Sequence, residues 1–478
     1  MISINIKDYP LLLNGELITT KQSIKVINPA NEEVIATCSK ASEKELNLAV
    51  KSAKKSQEFW AKTDIEEKQD VLHKITKVIK ANSQELARII TLEQGKTFAD
   101  AQGEVQFAEA FCEYFANQSL TKEVLKNDES SNIEIHRVPL GVVAAIAPWN
   151  FPFLIAVYKT APAILMGNSI ILKPAPTTPI STCFFGELVQ PIVPKGLINI
   201  ITDENELGPI ITQHPDIAKI SFTGSTATGK KVAKNSGSTL TRLTLELGGN
   251  DPAIVMEDAQ PSKIAQDLFS SSMNNSGQIC AAIKRLYVHQ DIYEEMCNEL
   301  KQIADNIVVG DGFEQGIDLG PLQNKEQYEK VKGYIQEARQ KGNIISGGDT
   351  PEGPGYFIPI TLVKDIKDGA KLVDEEQFGP ILPIIKYDDI DEVINIANSS
   401  NYGLGASVWG ENIKKATEVA MKLEAGSVWV NQHKGEFSYT GHNYDYEYIR
   451  YYDWLDSNWV GYFAIEYTYN EHYDVMTE

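Results

Sequence analysis

The stretch VVAAIAPWNFPFLIAVYKTAPAILMGNSIILKPAP, residues 142 to 176, decides the fold. It opens on VVAAIAP, an apolar run of strand length, and turns at a proline-bounded segment. It then continues as PFLIAVYKTAPAILMG, which has the length and apolarity of a buried helix. A second apolar run, SIILKP, follows. Strand, helix and strand in that order is the right-handed unit of a parallel sheet covered by helices. Within it, Leu140 to Tyr158 is nineteen residues without a charge, long enough to test as a membrane span. Pro148, Trp149, Asn150 and Pro152 stand at its centre, where they break a helix and bury polar groups in lipid. A buried strand, turn and helix is the better reading.

The alternation continues outward. LINIIT, IAKISFTG and RLTLELGG read as strands, separated by the helical stretches TTPISTCFFGELVQ, ELGPIITQH and STATGKKVAKNSG. Toward the N-terminus, residues 42 to 118 read as helices. SEKELNLAVKSAKKSQEFW starts with a Ser/Glu capping pattern and spaces Leu46, Val50 and Ala53 at helical intervals, and a second helical tract runs from 65 to 92. Toward the C-terminus, another alternating tract runs from near Pro252 to about 430, with the loop GGDTPEGPGYF in its middle. This is the pattern of two α/β domains in sequence. Residues 434 to 478 differ, holding ten of the twenty tyrosines. There Tyr444, Tyr446 and Tyr448, and again Phe463, Ile465, Tyr467 and Tyr469, alternate at the period of a strand.

Composition narrows the function. With 478 residues, 42% hydrophobic and 23% charged, the chain is an ordinary globular protein with a large core. Its formal charge of -21, from 65 acidic against 44 basic residues, repels a phosphate backbone, so nucleic acid is excluded as a partner. Five scattered cysteines form neither a disulfide framework nor a zinc-ligand spacing, and they read as free thiols with no metal. The N-terminus MISINIKDYPLLLNGE reads without a secretory signal, so the expectation is a cytoplasmic protein away from the membrane.

Four segments have the residue types for chemistry, each beside a plainer reading. SFTGSTATGK, 221 to 230, is a strand-to-helix turn at Gly224 and Ser225, suited to a pyrophosphate or serving as an ordinary N-cap. ELGGND, 246 to 251, puts Glu246 at a strand end, as a functional or simply a solvated acid. NSGQIC, 275 to 280, presents Cys280 after a polar turn; a thiol there is a nucleophile or a small buried apolar group. APWNFP, 147 to 152, fixes Asn150 between prolines, as an oxyanion donor or a structural turn. Two further segments, ILKPAP (171 to 176) and EEQFGP (375 to 380), bring Lys173 and Glu376 with Phe378, which serve equally as loop ion-pair partners.

The ordered set PWNFP, LKPAP, FTGST, ELGG, GQIC and EEQFGP resembles the aldehyde dehydrogenase superfamily over residues 12 to 433. The resemblance implies a fold of two doubly wound Rossmann-like α/β domains plus a β oligomerisation arm. Residues 1–118 and 139–246 would bind the dinucleotide, 247–430 would carry the nucleophile, and 119–138 with 431–478 would form the arm and tail. By family position, Cys280 is the nucleophile, Asn150 the oxyanion donor and Glu246 the base that activates water. Trp149, Lys173, Gly208, Gly224, Ser225, Leu247, Glu376 and Phe378 would contact the cofactor. The implied reaction oxidises an aldehyde to a carboxylic acid, with a homodimer or homotetramer as the assembly.

Two departures from the family pattern stand out. NAD-preferring relatives commonly carry Glu three positions after the matching lysine, and this chain has Pro176. NAD is the expected cofactor, with NADP left open. After GSVWVNQH, 426 to 433, the Pro-Phe-Gly-Gly segment that finishes the family's aldehyde pocket is missing. A rival reading is therefore a catalytically impaired dinucleotide-binding member of the family.

Overall fold

The computed structural model describes residues 7–119, 122–128 and 131–433, together with the backbone of Ile465–Tyr467. The chain divides into two compact units, Met1–Leu247 and Gly248–Glu478.

In the first unit the deciding stretch folds as strand Val142–Ile146, helix Pro152–Leu165 and strand Ser169–Lys173. The two strands pair in parallel, Val142 opposite Ser169 and Ile146 opposite Lys173. Pro152 starts the helix where its missing N–H is no loss. Among the described residues the sheet order is Arg242–Glu246, Lys219–Thr223, Val142–Ile146, Ser169–Lys173 and Ile198–Ile200. Leu11–Leu13 and Glu16–Ile18 are added antiparallel.

The sheet is covered on both faces, and the period of two shows in the cores. Val143, Ala145, Ile170 and Leu172 pack with Phe153, Ala156 and Leu86, whereas Val142, Ala144, Ile171 and Ile220 pack with Leu46, Val50 and Ala53. Each fully buried aliphatic side chain of this kind contributes roughly 1.5–3 kcal/mol. Glu43–Trp60 opens with the expected capping box between Ser42 and Glu45. The tract read as one helix from 65 to 92 is instead two, Ile65–Ala81 and Ser83–Gln94. Asn82 divides them: its side-chain amide donates to the Val78 carbonyl at 2.8 Å, in competition with the backbone ladder. In the stretch 119–138, Glu123–Asn127 and Asn132–Ile135 pair as an antiparallel ribbon.

In the second unit the described strands follow the order Asn343–Ser346, Thr361–Lys364, Ile381–Tyr387, Ile283–His289, Asp251–Val255, Gly405–Trp409, Ser427–Val430 and Ile465–Tyr467. The first pair is antiparallel and the rest are parallel. Alternation again splits the core: Ala253 and Val255 join Leu268 and Phe269 of helix Pro261–Met273, and Ile254 joins Val331 and Ile335 of helix Lys325–Lys341. The fold class read from the sequence, α/β units with mainly parallel sheets, is the one found. Among the described residues no helix is long and apolar enough to cross a membrane. Apart from the backbone of Ile465–Tyr467, which lies in a strand, the alternating pattern expected in 434 to 478 lies outside the described residues.

Candidate active site

In the first unit the residues singled out above gather at the carboxyl ends of parallel strands. Val142–Ile146 runs into the turn that bears Trp149, half-buried, and Asn150, buried. A buried ion pair anchors that turn. Lys96 Nζ lies 2.6 Å from Glu104 with both side chains out of solvent, and it also donates to the Asn150 carbonyl at 3.0 Å. The other Glu104 oxygen accepts the N–H groups of Phe153 and Leu154 at 3.0 and 3.1 Å, satisfying the open first turn of helix Pro152–Leu165. The Lys96 ammonium stands 3.8 Å from the centre of the Phe151 ring.

Lys173, at the end of the next strand, is buried and pairs with Asp203 at 2.6 Å, and it donates to Asn205 Oδ1 at 3.1 Å. Gly208 opens the short helix Gly208–Thr212, and no atom crowds the space its side chain would fill. Gly224 and Ser225 join strand Lys219–Thr223 to helix Thr226–Ser236. The cap of the plainer reading is present, with Ser225 Oγ accepting the Thr228 N–H at 3.3 Å. That first turn carries no acid. A Cβ on Gly224 would fall 2.7 Å from the Phe222 ring.

The Gly224 N–H donates to the Glu246 carbonyl at 3.0 Å, so the turn and the strand-end acid share one edge. Leu247 continues from Glu246 and packs where a side chain at Gly229 would stand. The Glu246 carboxyl is reachable by solvent yet crowded by protein, and the resulting loss of hydration raises its pKa, while the charge of Lys159 opposes the rise.

Lys159 was not singled out from the sequence. It is the one charged residue between Val138 and Leu172, on a helix otherwise made of apolar and small side chains, and that isolation was the available signal. It is 1% exposed and donates to Ser221 Oγ at 2.8 Å. Burial pulls its ammonium down to about 7, with Glu246 pulling the other way.

In the second unit the candidates stand ahead of strands. Cys280 precedes Ile283–His289, and Glu376 with Phe378 precedes Ile381–Tyr387. The approach to Cys280 is strained: Asn275, Ser276 and Gly277 take φ of 53, 55 and 72° in succession. Gly277 has no room for a side chain, since a Cβ would overlap the Gly379 carbonyl. The turn is pinned by Ser276 Oγ to the Gly320 carbonyl at 2.7 Å and by the Gln323 N–H to Gln278 Oε1 at 2.9 Å.

Cys280 keeps a solvent opening, whereas the other four cysteines are buried. Crowding by protein pushes its thiol up to about 11; Lys284 pulls it down, and Asp251 and Glu376 push it up. Lys284, also absent from the sequence-based set, is buried and donates to the Ile279 carbonyl. Glu376 Oε1 accepts the Gly249 N–H at 3.2 Å, and a side chain on Gly248 would overlap its carboxylate. Phe378, half-buried, holds φ at 53°. Glu376 thus joins Cys280 in one cluster with the glycines that follow Leu247. Among the described residues no group of three or more His, Cys, Asp or Glu side chains is placed to hold a metal.

A model of the aldehyde dehydrogenase family matches residues 18–443. Phenylacetaldehyde dehydrogenase of Pseudomonas fluorescens is 36% identical over 443 residues, spanning 89% of this chain and 88% of that one. The solved NAD+ complex of an aldehyde dehydrogenase from Bacillus cereus matches with a TM-score of 0.87 at 34% identity, over 89% of each chain. An NADP dependent enzyme of E. coli matches with a TM-score of 0.87 at 32% identity, over 89% of this chain and 90% of that one.

Proposed function

The chain belongs to the aldehyde dehydrogenase family, and on that premise we propose that it oxidises an aldehyde to a carboxylic acid, with Cys280 as nucleophile and Glu246 as hydrolytic base. The observation that carries this reading is the state of the cysteines: Cys280 alone among the five is open to solvent, on a strained turn pinned from two sides.

The dinucleotide fits the first unit's Gly224–Ser225 turn. A helix N-terminus without an acid in its first turn, reached through a residue with no Cβ, accepts a pyrophosphate. Bound there, the dinucleotide supplies a hydride acceptor. We read it as NAD, because the Lys173 ammonium is already compensated by buried Asp203 and makes a poor partner for an added 2'-phosphate. Lys173, Gly208, Leu247, Trp149, Glu376 and Phe378 are its further contacts in this reading.

The thiolate of Cys280 forms a bond to the aldehyde carbon, and the carbonyl electrons move onto oxygen, where the Asn150 amide donates a hydrogen bond. Loss of hydride re-forms the carbonyl as a thioester on Cys280. A water then gives a proton to Glu246 and attacks that carbonyl, the carbon–sulfur bond breaks, and the acid leaves as the thiolate is restored. Residues 1–118 and 139–246 serve the cofactor and 247–430 the chemistry. The ribbon in 119–138, with Val124 and Leu125 at 49% and 58% exposure, suits pairing of subunits in a homodimer or larger assembly.

A panel of aldehydes assayed with NAD and with NADP tests the reading. Reduced cofactor should form with at least one aldehyde, faster with NAD, and Cys280→Ala should cut the rate more than about a thousandfold. Turnover undiminished in Cys280→Ala would remove the assigned nucleophile. Cofactor binding without turnover across the panel would return the impaired reading raised by the missing pocket segment.

A further inference from the structure

Reactive cysteines commonly borrow charge from a helix N-terminus or a neighbouring cation. Cys280 has no helix N-terminus: the chain reaches it from the C-terminal end of helix Pro261–Met273 through the strained turn, and leaves it as a strand. The groups facing its sulfur are also unhelpful on balance, since Asp251 and Glu376 both carry negative charge. A second thiolate-like charge would be repelled by each.

We propose that Lys284 is a positioning residue whose buried ammonium sets positive charge against the Cys280 peptide and so favours the thiolate over the thiol. This deepens the proposed function and rests on Cys280 being the nucleophile. The lysine is four residues downstream, and its Nζ donates to the carbonyl of Ile279, the peptide that leads directly into Cys280. That bond fixes the ammonium on the peptide that joins Ile279 to Cys280 and orients that peptide. Burial lowers the Lys284 pKa overall; Glu376 and Asp251 oppose that fall and Lys330 adds to it. Glu376 in turn faces Lys330, which donates to its backbone carbonyl at 2.9 Å. His433 Nε2 stands 3.3 Å from Asp251 Oδ2. The same two carboxylates that repel a thiolate therefore favour the charged form of Lys284 against its burial, and Lys284 is the cation that lowers the Cys280 thiol's pKa.

The experiment follows the alkylation of Cys280 by iodoacetamide on the full chain as a function of pH, with the modified peptide quantified by mass spectrometry. Lys284→Met should slow alkylation near neutral pH by about tenfold or more and move the profile to higher pH. Lys284→Arg, which keeps the charge, should stay within a few-fold of wild type. An unmoved profile in Lys284→Met overturns the proposal. So does Lys284→Arg falling as far as Lys284→Met, which would mean packing rather than charge. If Lys284→Met does not fold, Lys284→Gln takes its place in both comparisons. Because alkylation needs no aldehyde, a wild type that oxidises nothing but shows the charge-dependent profile sinks the proposed function and leaves Lys284 standing. Turnover with an unmoved profile does the reverse.

Discussion

The two units present their candidate residues at opposite ends of their strands and set different charges around a buried lysine. In the first, Asn150, Lys173, Gly224 and Glu246 follow the carboxyl ends of parallel strands, the usual place for a ligand in an open α/β sheet. In the second, Cys280 and Glu376 come before the strands. Lys159 in the first unit has one facing carboxylate, Glu246, and burial brings its ammonium down to about 7. Lys284 in the second faces two carboxylates and a thiol. One acid leaves a buried amine able to change charge near neutrality. Burial lowers the Lys284 pKa as well, but two acids oppose the fall instead of one. Lys96 is a third case, fully paired with Glu104 and spent on structure.

The comparison breaks most readily at the acid that Lys159 faces. Glu246→Gln keeps the shape of the strand end and removes the base, so steady-state turnover should fall by about 10²–10⁴. A variant with ordinary turnover would make Glu246 the solvated strand-end acid of the plainer reading. The next effect is on stability. Lys96→Met leaves the buried Glu104 charge without its partner, at a cost of about 3–5 kcal/mol in denaturant unfolding. Lys96→Met combined with Glu104→Leu should recover much of that loss; strictly additive losses would show that the two residues are not coupled.

The smallest effect sharpens the contrast between the lysines. Lys159⁺ lowers the Glu246 pKa against the rise caused by burial, and below its own value of about 7 the lysine is charged. In Lys159→Met that support is gone and the Glu246 pKa climbs further. The base form is then lost at a higher pH as the solution is acidified. The acidic limb of the hydrolysis rate should move up by about one unit, measured as a pH profile of kcat. A limb that stays or moves down contradicts the assignment of charge.

How much of this was legible in the sequence depends on how local each feature is. Strands such as Val142–Ile146 and Ser169–Lys173 declare themselves because apolar runs, prolines and glycines lie within a few residues of one another. The capping box at Ser42 and Glu45 is local in the same way. The break at Asn82 was missed because Ile75, Ile79, Leu86 and Ile90 keep an apolar spacing across it, and one side-chain amide decides the matter. Lys159, Lys284 and the Lys96–Glu104 pair acquire meaning only through partners far along the chain or from burial, as when helix Pro152–Leu165 brings Lys159 onto Ser221. Asp203, thirty residues from Lys173, belongs to the same class.

The central claim is that Cys280 carries the acyl group and Glu246 releases it. Mass spectrometry of Glu246→Gln, mixed with an aldehyde substrate and NAD and quenched during turnover, tests both at once. The account predicts that the peptide containing Cys280 gains the mass of the oxidised substrate's acyl group and that the adduct persists far longer than in wild type. No adduct despite formation of reduced cofactor, or an adduct on any other residue, would contradict it.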